Sequence, residues 1–390
     1  MAGGPRDVYF AGGKPRSNAS GMECLIRLSA DILIVASQTP ITFAYSVSLY
    51  QHLLTYYMKY AAAAEDYKSM RFASVFCVLA ILPAVLTAVV RPHGPRDVTT
   101  ANIGQLPILS WAENMAVRSN GQLLVTLVDV PELWQIDPFG SHESQLLLKL
   151  PVAGGLLGIA EIQPDIFAVI AGSSLLPGFF SIWKIDLQAA SPTYTKVTNV
   201  PPAIMLNGAT TLNENAILVA DSSAGVVYRV DTLSGNYSVV LDDPTMKAAA
   251  GSILHLGING LHVRDNYLYY TSSTQGIFVR IPINDDGTAA GAAEIIAHNG
   301  LDDDFTFDSA GNAYVATNSD NTVQKITPAG EVTVIAGSAN SPTFAGATSA
   351  HFGRTAADES VLYITTDGIF TRANGFTTFG TGGVVAIYGL

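Results

Sequence analysis

Two carboxylic acids and two amides, Glu113, Asn207, Asn259 and Asp303, stand at matched distances ahead of four strand-like segments. Oxygen donors of these types can hold a hard cation or move a proton. They occur as Trp111-Ala112-Glu113-Asn114, Leu206-Asn207-Gly208, Ile258-Asn259-Gly260-Leu261 and Asp302-Asp303-Asp304-Phe305. Taken singly, each reads as a turn or a solvated loop, because Asn-Gly pairs and Asp-rich runs are common there. Their register is what carries meaning. Counting back ten residues from each strand segment gives Glu113, Leu157, Asn207, Asp303 and Phe352, and counting back nine in the fourth gives Asn259. Equivalent positions in units set around an axis form a ring, so these four polar residues are expected to share one axial site. The donor set suits calcium, magnesium or manganese; zinc would lack its usual His or Cys.

The elements that position them are repeats. Leu123-Leu124-Val125-Thr126, Phe167-Ala168-Val169-Ile170, Ile217-Leu218-Val219-Ala220, Leu268-Tyr269-Tyr270-Thr271, Ala313-Tyr314-Val315-Ala316 and Leu362-Tyr363-Ile364-Thr365 begin 44 to 51 residues apart. A four-stranded blade needs about 40 to 50 residues. Six such units predict an all-β, six-bladed β-propeller over residues 101–390, preceded by a signal-like hydrophobic segment. Ala101 to Leu109 precede the first complete repeat, and the last repeat ends on Gly383-Val384-Val385-Ala386-Ile387-Tyr388. The early segment is therefore expected to supply the missing strand of the final blade.

Charged residues make up 13% of the chain and hydrophobic ones 48%, a balance that suits a large buried β core. From residue 89 onward there are 13 basic and 27 acidic side chains. Such a surface repels phosphate backbones, so nucleic acid is not an expected partner. Cys24 and Cys77 both precede the repeats, which leaves the propeller without a disulfide or a thiolate nucleophile. His255 and His351 stand isolated in the sequence. No Gly-x-Ser-x-Gly elbow, His-Glu-x-x-His run or phosphate loop is present.

Met70-Arg71 followed by Phe72 to Ala88 has a basic start, an apolar core and a small-residue end, the layout of a secretory signal. Translation from Met70 would make residues 70–88 the signal peptide and 1–69 an upstream extension, non-native or disordered. The other reading is a signal anchor, since Phe72 to Val90 approaches the length of a membrane span. Pro83 and Thr87-Ala88 favour cleavage, and stable membrane contact is expected only if the signal stays uncleaved. Asn236-Tyr237-Ser238 is an acceptor triplet for N-glycosylation. Together these predict a protein of the secretory pathway, or a secreted one.

The order and spacing of Glu113, Asn207, Asn259 and Asp303 resemble the gluconolactonase and regucalcin family of six-bladed propellers, over roughly residues 105 to 390. That resemblance implies metal ligation by Glu113, Asn259 and Asp303, with Asn207 beside substrate or water. There is a departure. Sugar lactonases of the family place an Arg just before the second-site Asn and an Asp after it, whereas Asn207 is flanked by Pro201-Pro202-Ala203-Ile204-Met205-Leu206 and Gly208-Ala209. An apolar wall cannot satisfy sugar hydroxyls, and each unpaired buried polar group costs about 1–3 kcal/mol. Leu157 and Phe352, with Trp111, Met115, Phe305 and His351, are expected to make one side of the pocket apolar, favouring a hydrophobic small molecule.

The signal-like segment, the run Glu113-Asn114-Met115-Ala116-Val117-Arg118-Ser119-Asn120-Gly121 and the run Phe352-Gly353-Arg354-Thr355 resemble fungal secondary-metabolism proteins that include hetero-Diels–Alderases of tropolone-sesquiterpenoid pathways. The resemblance implies a cyclase that couples a tropolone-type quinone methide to a sesquiterpene alkene and needs no cofactor for the cycloaddition. Glu113 or Asp303 would serve as acid or base, Asn207 and Asn259 as hydrogen-bond donors, and Trp111, Leu157, Phe305 and Phe352 as substrate contacts. Two other readings stand beside it: a metal-dependent hydrolase of a hydrophobic lactone or ester, and a binding propeller without catalysis.

Overall fold

Segments such as Leu123–Leu127, Ala216–Asp221 and Leu362–Thr366 are apolar or β-branched at nearly every position, and each is buried along its whole length. A strand covered on both faces must lie between two layers, which stacked blades provide. The computed structural model describes residues 98–152, 154–173, 178–372 and 375–390. In them the repeats fold into six four-stranded sheets. Their inner strands are Ala112–Val117, Gly155–Gln163, Leu206–Asn213, Ile258–Arg264, Asp302–Phe307 and Ala347–Phe352, heading blades 1 to 6. The apolar core lies between blades. Leu124 and Leu133 of blade 1, for example, pack with Leu156, Phe167, Val169 and Ile185 of blade 2.

The ring closes with a strand borrowed from the start of the described chain. Thr99–Ile103 pairs antiparallel with Gly383–Tyr388, Thr99 opposite Tyr388 and Ile103 opposite Val384, completing the sixth sheet. Closure begins two residues earlier than the sequence suggests.

All six inner strands break register at their heads. In blades 1 to 5 two inner-strand residues face one on the second strand, between Ala112 and Met115, Leu156 and Ile159, Leu206 and Ala209, Ile258 and Leu261, and Asp302 and Phe305. In blade 6 Thr348 alone is extra, between Ala347 and Ser349. A bulge of this kind turns consecutive side chains away from the regular alternation. Hydroxyls from the second strands take up the displaced backbone. Thr126 Oγ1 accepts from the Asn114 amide at 3.1 Å, and Thr271 Oγ1 accepts from the Gly260 amide at 3.0 Å while donating to the Asp303 carbonyl of the next blade at 2.6 Å.

The signal-like segment 70–88 and the upstream region 1–69 lie outside the described residues. Among the described residues no helix is long and apolar enough to cross a membrane. Asn236 is exposed in the hairpin that leads into strand Tyr237–Leu241.

Ile103 is fully buried in the closing strand and packs with Met115, Leu123 and Tyr363, linking blades 1 and 6. Ile103→Ala should lower unfolding free energy by about 2–5 kcal/mol, read as a shift in the urea midpoint. A change below 0.5 kcal/mol would mean that this strand does not hold the ring.

Candidate active site on the propeller axis

The bulges set two successive residues of each blade at the axis. The first ring is Glu113, Leu157, Asn207, Asn259, Asp303 and Thr348, and the second is Asn114, Gly158, Gly208, Gly260, Asp304 and Ser349. Five of the six positions match the sequence count. Phe352 does not. It ends the inner strand of blade 6, opposite Leu362 and edge-on to Tyr314. The cause is the hairpin after it, residues 353–361, which is four residues longer than the corresponding 118–122 of blade 1. Counting backward across an enlarged hairpin slides the register by the same four residues.

Glycine in the second ring is a steric requirement. A β-carbon on Gly158 would lie 2.4 Å from the Asn207 carbonyl oxygen, one on Gly208 would lie 2.4 Å from that of Asn259, and one on Gly260 would lie 2.3 Å from Asp304 Oδ1. The inner strands of blades 2 to 5 therefore touch backbone to backbone around the axis.

Four carboxyl groups gather within this ring system: Glu113, Asp303, Asp304 and Asp367, all buried. Burial pushes the Glu113 carboxyl up to about 7, against a partial pull from the Trp111 indole and with a further push from Asp304. The indole N–H itself meets no acceptor at hydrogen-bonding geometry. Burial also holds Asp303 well above the carboxylate range, with Glu113, Asp304 and Asp367 adding to the rise and the Asn259 amide opposing it. Asp367 is raised by burial too, although it accepts from the Ile369 amide at 2.6 Å and from Asn318 Nδ2 at 3.2 Å.

Asp304 behaves in the opposite way. Burial would raise it, but the charge and hydrogen bonding of His262, with His351, bring it below its ordinary value. His262 Nε2 stands 3.3 Å from Asp304 Oδ1, while Asn114 Nδ2 donates to Oδ2 at 2.9 Å and the Ser349 hydroxyl to the same oxygen at 3.3 Å. His351 completes the group, with one ligating atom from each of His262, Asp304 and His351 lying within 4.8 Å of the others. Burial first, then the nearby His262, lowers His351 to about 4, so its imidazole is neutral at ordinary pH. One arm of the site is thus an acid that titrates near neutrality, and the other is a carboxylate backed by imidazoles. Environments that push neighbouring groups apart in this way separate acid from base roles.

Glu113, Asn259 and Asp303 therefore come together as expected. Their donor chemistry fits a divalent cation, since Glu113 raises Asp303 and a cation would relieve that repulsion. Asn207 is buried in the first ring between Leu157 and Asn259. Leu157 is buried in the core between blades 2 and 3, and Phe305 is fully buried, edge-on to Phe278, Phe307 and His262. Met115 is core as well, whereas Trp111 is half-buried, its amide bound to Asp129 Oδ1 at 2.9 Å. Sequence reading passed over His262 and took His351, isolated in the sequence, only as part of an apolar pocket wall. Both lie two residues past the second ring on an inner strand, so the two-residue period of a strand brings them back to the axis.

Exposed apolar side chains lie on loops at one face of the propeller. Inner strands begin at that face, and its loops carry Ile108, Phe179, Ile204, Ile253, Leu254 and Phe376. The opposite end is pinned by Arg354, which donates to the Val117 carbonyl at 2.8 Å and pairs with Glu161. A separate cleft of about 380 Å³ runs along blade 6 past Gly104, Thr366, Phe370 and Phe379. It has no ionisable side chain in its lining and is set aside as the reaction centre.

No model of a known protein family matches the chain. Among curated proteins it is 26% identical to one of Phoma sp over 298 residues, covering 67% of this chain and 84% of the relative. It is also 26% identical to one of Sarocladium schorii over 301 residues, covering 66% and 75%. Both are provisionally named hetero-Diels–Alderases. In fold it is similar to a luciferin-regenerating enzyme, with a TM-score of 0.57 at 16% identity, covering 75% of this chain and 96% of that one. Regucalcin of Agrobacterium tumefaciens str. C58 gives a TM-score of 0.51 at 15% identity, covering 74% and 95%. The resemblance is to hetero-Diels–Alderases in sequence and to regucalcin-type propellers in fold. The runs 113–121 and 352–355 meet in space, as a β-carbon on Gly121 would lie 3.0 Å from Thr355 Cγ2 and Arg354 bonds to Val117.

The raised Glu113 predicts a pH-dependent stability. The folded chain holds this proton more tightly than the unfolded chain, so its contribution is fully present below 4.5 and is lost as pH rises through about 7. The loss amounts to about 3 kcal/mol. Glu113→Gln should flatten urea stability between pH 4.5 and 8 in chelator and make the protein the more stable of the two at pH 8. Parallel pH profiles for the two proteins would refute the shift.

Proposed function

We propose that this chain is a secondary-metabolite cyclase that couples a tropolone-type quinone methide to a sesquiterpene alkene by an intermolecular hetero-Diels–Alder reaction. The observation that carries the reading is similarity to two proteins of that provisional name, 26% identical over alignments of 298 and 301 residues. The geometry supports it from another side. Exposed apolar side chains on the face where the inner strands begin, with buried acid and base groups on the axis, suit a hydrophobic substrate that must lose water and then be held in one orientation.

The heterodiene arises from a hydroxymethyl precursor by loss of water. Glu113, protonated in about half the molecules near pH 7, gives its proton to the departing hydroxyl as the C–O bond breaks. The imidazole of His262, held by Asp304, takes the proton of the ring hydroxyl. One water leaves and the precursor becomes the quinone methide; solvent returns the proton from His262 to Glu113. Cycloaddition then forms one C–C and one C–O bond with no proton transfer. Positioning of the two reactants can supply about 7–11 kcal/mol of the barrier reduction. Asn207 and Asn259 would orient the oxygen substituents as hydrogen-bond donors. Passage through the secretory pathway, with glycosylation at Asn236, belongs to the same proposal.

The convergence of Glu113, Asn259 and Asp303 favours a second reading, hydrolysis of a hydrophobic lactone or ester. These three residues would hold a calcium, magnesium or manganese ion, which supplies Lewis acidity when bound.

The two readings separate in one experiment. Protein treated with chelator should still couple a hydroxymethyl-tropolone to a humulene-type alkene with one stereochemistry, and Glu113→Gln or His262→Ala should reduce the rate about 10²–10⁴-fold. Chelator-sensitive opening of hydrophobic lactones, with no coupling, would replace the cyclase by the hydrolase. Tight ligand binding without turnover in either assay would leave a binding propeller.

A further inference from the structure

The residue just before the first ring is apolar in five blades and an aspartate in the fifth. Ala112, Leu156, Leu206, Ile258 and Ala347 are buried there, and blade 5 places Asp302 at the same point, 1% exposed. Register spreads the polarity across the sheet. Asp302 pairs with Thr317, Thr317 pairs with Thr322, and Gln324 follows two residues on, so four polar side chains share one face of the blade. The same positions are Ile258, Ser272, Ile277 and Val279 in blade 4, and Leu156, Ala171, Ser181 and Trp183 in blade 2.

The two threonines satisfy one another, their hydroxyls 2.5 Å apart and Thr317 Oγ1 donating to the Thr322 carbonyl at 2.8 Å. Asp302 has no such partner. Neither of its carboxylate oxygens is hydrogen-bonded, nor are Gln324 Oε1, Asn299 Oδ1 or Asn299 Nδ2, all of them buried atoms. Burial raises the Asp302 carboxyl and Asp320 adds to the rise; the Gly300 amide and the Asn299 side chain oppose it, though neither reaches an Asp302 oxygen at hydrogen-bonding geometry. Asp320 closes the outer side of this group, its Oδ2 packed on Gly300, where a β-carbon would come within 2.3 Å of it and 3.9 Å of Gln324 Nε2. Asp320 is exposed, which gives the group a path to solvent.

We propose that Asn299, Asp302, Asp320 and Gln324 form a binding site for a calcium-type divalent cation at the edge of blade 5. The unpartnered set is four acceptors and one donor, which asks for a positive charge. Calcium accepts six to eight oxygens in irregular geometry and takes carboxylates through both oxygens, and water can complete the shell from the Asp320 side. Two carboxylates balance its charge. The absence of His and Cys from the set argues against zinc or copper. A bound cation would displace the proton that burial holds on Asp302. Asp302 belongs to the blade interior and its neighbour Asp303 to the axis, so this site is distinct from the reaction centre.

Calcium titrated into chelator-stripped full-length protein tests the assignment, read by calorimetry and by thermal unfolding. Wild type should bind calcium and melt several degrees higher with it. Asp302→Leu, which restores the residue type of blades 2 and 3, should lose that response, and Gln324→Leu should weaken binding at least tenfold while folding normally. Glu113→Gln disables the axial carboxylate and should keep the response. Loss of the response in Glu113→Gln, or its survival in both blade 5 variants, would assign the calcium to the axis and overturn the proposal. No calcium response in wild type at millimolar concentration would overturn it as well. Because the readout is binding and melting, a failed cyclase assay does not bear on the result.

Discussion

A break in strand register at the head of each blade is the constraint on which the axial site depends. Regular alternation would send every second residue of an inner strand back into the blade. The bulge gives each of five blades two consecutive residues at the axis, and blade 6 contributes Thr348 and Ser349. Such a break leaves backbone groups off the ladder, and buried ones must find partners elsewhere. Hydroxyls of Thr126, Ser222, Thr271, Ser273 and Thr348 meet this need. Four of them reach across to the next blade: Ser222 to the Ile258 carbonyl at 2.6 Å, Thr271 to the Asp303 carbonyl at 2.6 Å, Ser273 to the Asp302 carbonyl at 2.6 Å and Thr348 to the Ala112 carbonyl at 2.8 Å. The same bonds that repair the bulges tie neighbouring blades together.

Close approach at the axis concentrates charge. Gly158, Gly208 and Gly260 allow the strands of blades 2 to 5 to touch, which leaves the centre to side chains from blades 1, 4, 5 and 6. Acids packed this tightly cannot all ionise, so their proton affinities spread apart. Glu113 and Asp303 move up, while Asp304, beside two imidazoles, moves down. Adjacent residues of a single strand thus differ in protonation because a bulge turns them toward different neighbours.

Much of this was legible in the sequence. The repeat of apolar strand segments gave six blades, and the Gly383 to Tyr388 segment without a partner pointed to a strand contributed from near residue 100. Register counting found Glu113, Asn259 and Asp303 because the spans from these residues to the second-strand segments at Leu123, Leu268 and Ala313 are nearly equal. It failed at Phe352, where the hairpin is longer, and the ring residue is Thr348. His262 was passed over and His351 was read only as part of an apolar wall, because nothing local in either strand marks them and only the meeting of blades 4, 5 and 6 makes them a pair. The run Asp302-Asp303-Asp304 read as one polar cluster, yet its three carboxyl groups enter three settings: the blade interior, the first ring and the second ring. Leu157 and Phe305, expected to face a ligand, are instead buried in the core, because the sequence pattern of a ring position does not separate an axial side chain from one packed between blades.

Ring closure by Thr99–Ile103 has a consequence for the order in which the molecule acquires its properties. The two strands that meet are separated by about 280 residues, so this contact carries a large loop-closure entropy and belongs among the last to form. Until blade 6 docks on blade 1, water reaches the axis from the side and the acids there stay hydrated as ordinary surface carboxylates. Seating the last strand expels that water. The raised proton affinities at the centre thus depend on ring closure, and a chain with an open ring would hold Glu113 nearer its ordinary value.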